Sequence, residues 1–289
     1  MEVRTNDVAQ ALQPPLNRCP TESRAKNLLT FAHYYFSGLR SCAFLFGWGF
    51  LWGRHRGSIY KIASELGGLP DPNKPTAILP NVPWSAILPA TEDVSIVEPV
   101  ALDGNVTLFE LIIINQLLRR YHASNCFEIG TFDGRTTANL AANCAADGSV
   151  YSLDLPQEKL NSAKLRLDKG DVRYIAKQTS GQRFKGTKHE AKICQLYGDS
   201  ADFDYAPFVG RMDFVFVDGA HSYEYVLNDS LHALELLSPK GGIVLWHDYD
   251  SWAGVTNCLN ALYTENLEFR SLRHIEGTKL AFLAKDFHG

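Results

Sequence analysis

The stretch Cys126-Phe-Glu-Ile-Gly-Thr-Phe-Asp-Gly134 narrows the fold of this chain more than any other. A short apolar run ends at Glu128, Gly130 opens a turn, and Gly134 begins a segment of small residues from Thr136 to Ala146. That order predicts a buried strand, a tight glycine loop and a helix packed close to the sheet. Such a loop lets the backbone approach a ligand at the carboxyl end of the strand, where open α/β sheets bind their ligands. The spacing is E-x-G-x-x-x-G, not the G-x-G-x-x-G of a pyrophosphate binder.

Further short strands follow. Val150-Tyr-Ser-Leu-Asp154 predicts the second, and Asp154 lies 24 positions after Gly130. Doubly wound folds place there the carboxylate that takes both ribose hydroxyls. Ile193-Cys-Gln-Leu-Tyr197 predicts a third strand, leading into Gly198-Asp199-Ser200, where an Asx turn is the competing use of the acid. Met212-Asp-Phe-Val-Phe-Val-Asp-Gly-Ala-His221 predicts a fourth, delivering Asp218 to the sheet edge with His221 on the same loop. Gly242-Ile-Val-Leu-Trp246 is the fifth, introduced by Ser238-Pro-Lys-Gly and ending in His247-Asp248. Between these two, Tyr223, Val226, Leu227, Leu231 and Leu234 mark one face of an amphipathic helix. Upstream, Thr107-Leu-Phe-Glu110 has the form of a capping box, and Leu111, Ile112, Ile114, Leu117 and Leu118 give the helix it opens an apolar face. Residues 269–275 and 279–284 predict a terminal hairpin around Glu276-Gly277-Thr278.

Taken together these segments resemble class I S-adenosylmethionine-dependent methyltransferases over about residues 105–285. The resemblance implies an α/β, doubly wound, Rossmann-like sheet of seven strands with an antiparallel last strand, preceded here by a helical or irregular N-terminal extension. It implies that Glu128, Gly130 and Gly134, with Thr131 and Phe132 in the same loop, hold the methionine part of S-adenosylmethionine. Asp154 would take the ribose, and Asp199 and Ser200 would border the adenine.

Asp218, His221, His247 and Asp248 form a second group at the same predicted edge. Methyl transfer to an alcohol needs the acceptor close to its alkoxide. A divalent metal lowers the pKa of a bound hydroxyl, and an imidazole can remove its proton near neutral pH. The group is similar to that of metal-dependent small-molecule and sugar O-methyltransferases, in which an acidic or Asp-Asn pair ends strand five; here the pair is His-Asp. By that resemblance Asp218 and Asp248 are metal ligands, His221 is the general base, and His247 is a third ligand or an orienting group. Magnesium prefers all-oxygen ligands, and a histidine favours manganese, iron or zinc. The expected cofactors are therefore S-adenosylmethionine and a divalent metal, Mg or Mn, with a small-molecule or sugar hydroxyl as acceptor. Two other readings stand beside this one. A nicotinamide-dependent oxidoreductase would use Asp154 equally well but lacks its glycine spacing, and a module of the same fold could bind the cofactor without methyl transfer.

A net charge of −4 gives no reason to expect a nucleic-acid partner. Six cysteines without C-x-x-C pairs read as small buried hydrophobes in a reducing compartment, with Cys126 and Cys194 in core strands. The expected organisation is a loose tail over 1–25, an aromatic-rich helical segment over 26–66, a proline-rich linker over 67–100 and a catalytic domain over 101–289. The apolar run from Cys42 to Gly53 is too short to span a bilayer. The wider stretch 41–56, with Arg54 and Arg56, suits packing on the catalytic domain, a homo-oligomer contact or a peripheral membrane contact. No signal peptide is expected, so the location is cytoplasmic, with membrane association as the second reading. Arg173, Lys177, Arg183, Lys185 and Lys188 crowd residues 170–190, as a solvated loop or a segment closing over an anionic substrate.

Overall fold

A computed structural model describes residues 24–53, 55–57, 59, 62, 75–88, 90, 92–176 and 179–285. The expected tail up to residue 23, and Lys177 of the basic run, lie outside the described residues. The chain divides into two compact units after Pro72. In the first, helix α1 runs from Arg24 to Phe46, and a short 3-10 turn follows from Trp48 to Leu51. The helix stops at Gly47, whose amide still donates to the Ala43 carbonyl at 3.0 Å.

The second unit is built on one eight-stranded sheet: β1 Asn81–Val82, β2 Asn125–Ile129, β3 Ser149–Asp154, β4 Ile193–Tyr197, β5 Phe214–Val217, β6 Gly242–Trp246, β7 Arg273–Ile275 and β8 Ala281–Lys285. Their order across the sheet is β1-β7-β8-β6-β5-β2-β3-β4. Strands β2 to β6 are mutually parallel, and β8 runs antiparallel to both β6 and β7. The expected sheet had seven strands. The eighth is β1, which pairs parallel to β7 from within the proline-rich stretch. Two residues are too short for periodicity to register.

Helices cover both faces. Leu111, Ile114 and Leu118 of α2 (Leu108–Arg120) and Leu140 of α3 (Arg135–Asn143) pack with Cys126, Phe214, Phe216, Ile243 and Leu245. Val226 and Leu234 of α4 (Tyr223–Leu236) and Val255 and Leu259 of α5 (Ala253–Glu265) pack with Phe127, Val215, Val217, Val244 and Trp246 on the other face. Strands β2, β5 and β6 thus send alternate residues to opposite faces, and both faces are dry along them.

Several local expectations are corrected. Tyr223 and Leu231 of α4 are exposed, while Tyr225, Asp229, Ser230 and Ala233 are buried. The buried face is polar in part because the Ser230 hydroxyl accepts from the Trp246 indole at 2.9 Å, a partner that hydropathy does not reveal. Cys194 is exposed because β4 is an edge strand. The expected strand over 269–275 shortens to β7. Leu267–Phe269 is instead a 3-10 turn capped by Asn266, burying Phe269 and Leu272 three residues apart.

The segment before α2 is stitched to the helices by side-chain amides. Gln116 exchanges two hydrogen bonds with the backbone of Glu92, Asn143 two with Ser95 and Asn139 two with Val97. The guanidinium of Arg135, fully buried, donates to the carbonyls of Glu98, Pro99 and Val106. These bonds satisfy an extended backbone that has no strand beside it.

Candidate functional site

The strand order reverses between β2 and β5, the switch point at which doubly wound sheets open a crevice at their carboxyl ends. The glycine loop after β2 and the Asp218 loop after β5 meet there. The Asp218 amide donates to the Ile129 carbonyl at 2.9 Å, and Gly130 donates to Leu153 of β3 at 2.8 Å. Gly130 has φ +104°, and a Cβ at that position would overlap the carbonyl of Asp218. Gly134, at φ +87°, caps α3, and a Cβ there would lie 2.7 Å from the Cα of Gly181. Only glycine lets the three loops come so close.

Glu128 is fully buried. One carboxyl oxygen accepts from Thr137 at 2.5 Å and from Ser152, and the other has no partner among the described residues. Burial pushes its pKa up to about 8, assisted by the charges of Asp218 and Asp154 and opposed by the two hydroxyl donors. Thr131 lies beside it, bonded to Ser152 at 2.7 Å and to Gln195 at 2.8 Å. Phe132, at φ +49°, turns its amide to Asp154 Oδ1 at 3.3 Å and meets the ring of Tyr174 edge-on. The other oxygen of Asp154 accepts from the Ser180 hydroxyl, a donor of the same kind as a ribose hydroxyl. Ser180 and Gly181 belong to the basic loop, which bonds along the glycine loop through Gly181 to Phe132 and Arg183 to Asp133. Arg183 also pairs with Asp133 at 3.0 Å, so this cation is committed to the protein itself.

Asp199 is buried beneath α4, where it accepts from the Tyr225 hydroxyl and from the amides of Lys164 and Ala201. The Ala201 bond is an Asx turn, and these donors leave the carboxylate little capacity for an adenine amino group. Ser200, half-buried, gives its carbonyl to Asn228 and Tyr205.

Asp218, His247 and Asp248 converge, with ligand atoms all within 4.8 Å of one another. His247 Nδ1 lies 3.1 Å from Asp218 Oδ1 and 3.2 Å from Asp248 Oδ2. Burial disfavours charge on this imidazole, but the two carboxylates outweigh it and raise its pKa. Its Nε2 is 3.5 Å from Glu110 Oε2. Burial also works against the charge of Glu110, yet His247 and the amides of Lys279 and Thr107 hold its pKa down at about 2. Asp248, at φ +62°, bonds Ser251 at 2.8 Å and lies 3.6 Å from Lys279 Nζ. A non-glycine residue in the left-handed region marks a position held by its surroundings.

His221 links this cluster to the basic loop. Its Nε2 is 2.9 Å from Asp248 Oδ2, its Nδ1 is 2.5 Å from Asp171 Oδ1, and its ring stacks on Trp252 with centroids 4.1 Å apart. Burial lowers its pKa, but Asp171 and Asp248 together raise it to about 9.

Glu128, Gly130, Thr131, Phe132, Gly134 and Asp154 thus adjoin one another, and Asp218, His221, His247 and Asp248 form the neighbouring cluster. Sequence reading missed Asp171, which precedes the helical turn Val172–Ile175 and reaches His221 from 50 positions away. It also missed Ser180, Trp252 and the second role of Glu110. The capping box signalled Glu110, but only as a helix cap.

Residues 127–249 match a family model described as a methyltransferase domain. Among solved structures the chain is similar to the O-methyltransferase TomG of Streptomyces achromogenes, involved in tomaymycin synthesis and solved with SAM. The identity is 19%, covering 70% of this chain and 92% of that one, with a TM-score of 0.45. It is also similar to the SAH-bound methyltransferase PaMTH1 of Podospora anserina at 14% identity, covering 64% and 81%, with a TM-score of 0.46. A third is an O-methyltransferase of Bacillus cereus in complex with SAH, at 16% identity, covering 63% of this chain and 83% of that one, with a TM-score of 0.41. At these identities and scores the likenesses bear on neither acceptor nor metal. No curated protein matches the sequence. The family match lies across the glycine loop, Asp154 and the Asp218 and Asp248 loops, and the sheet carries the expected antiparallel strand beside β6: residues 127–249 match a methyltransferase domain.

Proposed function

We propose that the protein transfers the methyl group to a hydroxyl of a small molecule or sugar, with His221 as general base. The observation that carries this is the chain Asp171–His221–Asp248 beside the glycine loop. Glu128, with one buried oxygen unpartnered, and the Gly130–Gly134 cradle suit the cationic methionine end of S-adenosylmethionine, and Asp154 suits its ribose hydroxyls. The adenine side is bordered by Ser200 and by the turn that Asp199 holds.

Asp218, Asp248 and His247 Nδ1 offer two carboxylates and an imidazole, a donor set that suits a divalent ion such as manganese. Glu110 behind Nε2 would fix the ring with Nδ1 facing inward, as carboxylates behind ligating histidines do. Such an ion would lower the pKa of a bound acceptor hydroxyl. Were Asp248 to hold a cation, Asp171 would be the carboxylate left to His221, whose ring also stacks on Trp252. Asp171 keeps the proton on Nδ1 and leaves Nε2 to accept one from the acceptor. The acceptor oxygen then takes the methyl carbon as the carbon–sulfur bond breaks, and that electron pair stays on sulfur. The aromatic wall of Trp252 and Tyr174 beside His221 suits a ring-shaped acceptor.

A panel of phenols, catechols and sugars assayed with labelled S-adenosylmethionine, with and without added Mn or Mg, tests this reading. Label on oxygen, lost in Asp248→Asn, is expected. Transfer to nitrogen or carbon acceptors alone would refute the oxygen assignment. Equal rates after chelation would refute the metal.

A further inference from the structure

Helix α1 turns an apolar face outward. Leu29, Phe31, Tyr35, Phe36 and Leu39 are each more than half exposed. At 100° per residue these five, with Phe46, occupy one half of the helix circumference, while His33, Ser37, Arg40 and Ser41 occupy the other together with Tyr34 and Phe44. The 3-10 turn continues the surface with Trp48, 74% exposed, Leu51 and Trp52. A contiguous apolar surface of this kind marks an interaction site, unlike scattered exposed residues.

Charge indicates the partner. From Arg24 to Gly57 the sequence holds Arg24, Lys26, Arg40, Arg54 and Arg56 and no Asp or Glu, although the chain as a whole is net acidic. Pairing this face with a second copy would bring two such sets of cations together, whereas an anionic lipid surface complements them. Among the described residues no helix is long and apolar enough to cross a membrane, so α1 is suited to lie along one. Tyrosine and tryptophan favour headgroup depth, and arginine favours lipid phosphate.

We propose that α1 and the turn after it lie in the headgroup region of an anionic bilayer, with the Phe31–Tyr35–Leu39 face towards the acyl chains. The test uses the full chain in sedimentation with vesicles of phosphatidylcholine, with and without phosphatidylserine. Binding to the phosphatidylserine vesicles alone, weakened by salt, is expected. Arg40→Gln should lower partitioning about fivefold, as one basic residue near such a surface contributes. Phe31→Glu with Leu39→Glu should lower it about tenfold or more, because two apolar anchors become acids. An unchanged thermal unfolding transition shows that the variants remain folded. Absence of binding to either vesicle, equal binding to both, or unchanged binding of the double variant overturns the proposal. A dimer in light scattering that the double variant disperses also overturns it, by assigning the face to a second copy.

Discussion

At pH 7 and above, replacing Glu128 with glutamine should change stability and cofactor affinity in opposite directions. The carboxyl is fully buried, and its pKa rises from 4.5 to about 8 on folding. A raised carboxyl pKa means the folded state binds the proton more tightly than the unfolded state. Its contribution to stability is therefore greatest below pH 4.5, falls by about 1.4 kcal/mol per pH unit up to pH 8, and is flat above it. Between pH 4.5 and pH 7 this group alone removes about 3 kcal/mol, and by pH 8 close to 5 kcal/mol. Glutamine does not titrate. Its amide oxygen can still accept from Ser152 and Thr137, while its NH2 takes the place of an oxygen without a partner. That buried donor costs about 1–3 kcal/mol at every pH. The discriminating quantity is therefore the slope: urea unfolding of both proteins from pH 5 to pH 8 should show the variant gaining on the parent as pH rises. The same change removes a charge that would face the cofactor's cationic end, and affinity for S-adenosylmethionine should fall about ten- to a hundredfold, the worth of a hydrogen bond to a charged group. Calorimetry in two buffers should also show the parent releasing a proton on binding near pH 7, and the variant releasing none. A stability difference that does not vary with pH would refute the assignment of a buried, proton-holding Glu128.

The remaining expectations concern its neighbours. His221→Ala should lower kcat by about 10²–10⁴-fold, the usual loss of a general base, with S-adenosylmethionine affinity unchanged in calorimetry. Asp171→Asn should lower kcat but not cofactor binding, and Asp171→Glu should restore part of it; equal effects of the two would make Asp171 merely a folding residue. Asp154→Ala should weaken cofactor binding in the same calorimetric assay, and equal binding by the two proteins would refute the ribose role. Gly130→Ala should cost about 3 kcal/mol or more in urea unfolding, since a side chain at φ +104° is strained and its Cβ would displace the Asp218 backbone.

The local signals were short-range ones. Apolar runs ending at Glu128, Asp154, Asp218 and Trp246 identified β2, β3, β5 and β6, because strands buried on both faces read as continuous hydrophobic runs. Glycines at 130 and 134 identified the loop, because no other residue takes its backbone angles without strain. Thr107 and Glu110 identified the start of α2, because a capping box is complete within four residues. Elements that depend on a distant partner were not legible: β1 exists only because β7 lies beside it, and Ser230 faces inward because the Trp246 indole meets it there.

The sequence by itself determined the strands, the glycine turn and the identity of the acids at the sheet edge, all of which follow from neighbours along the chain. The tertiary structure alone decided that Asp171 reaches His221, that Glu110 lies behind His247, and that Ser180 reaches Asp154. Those contacts set the protonation of the site. They arise because strands far apart in sequence end side by side, and a charge responds to what is near it in space.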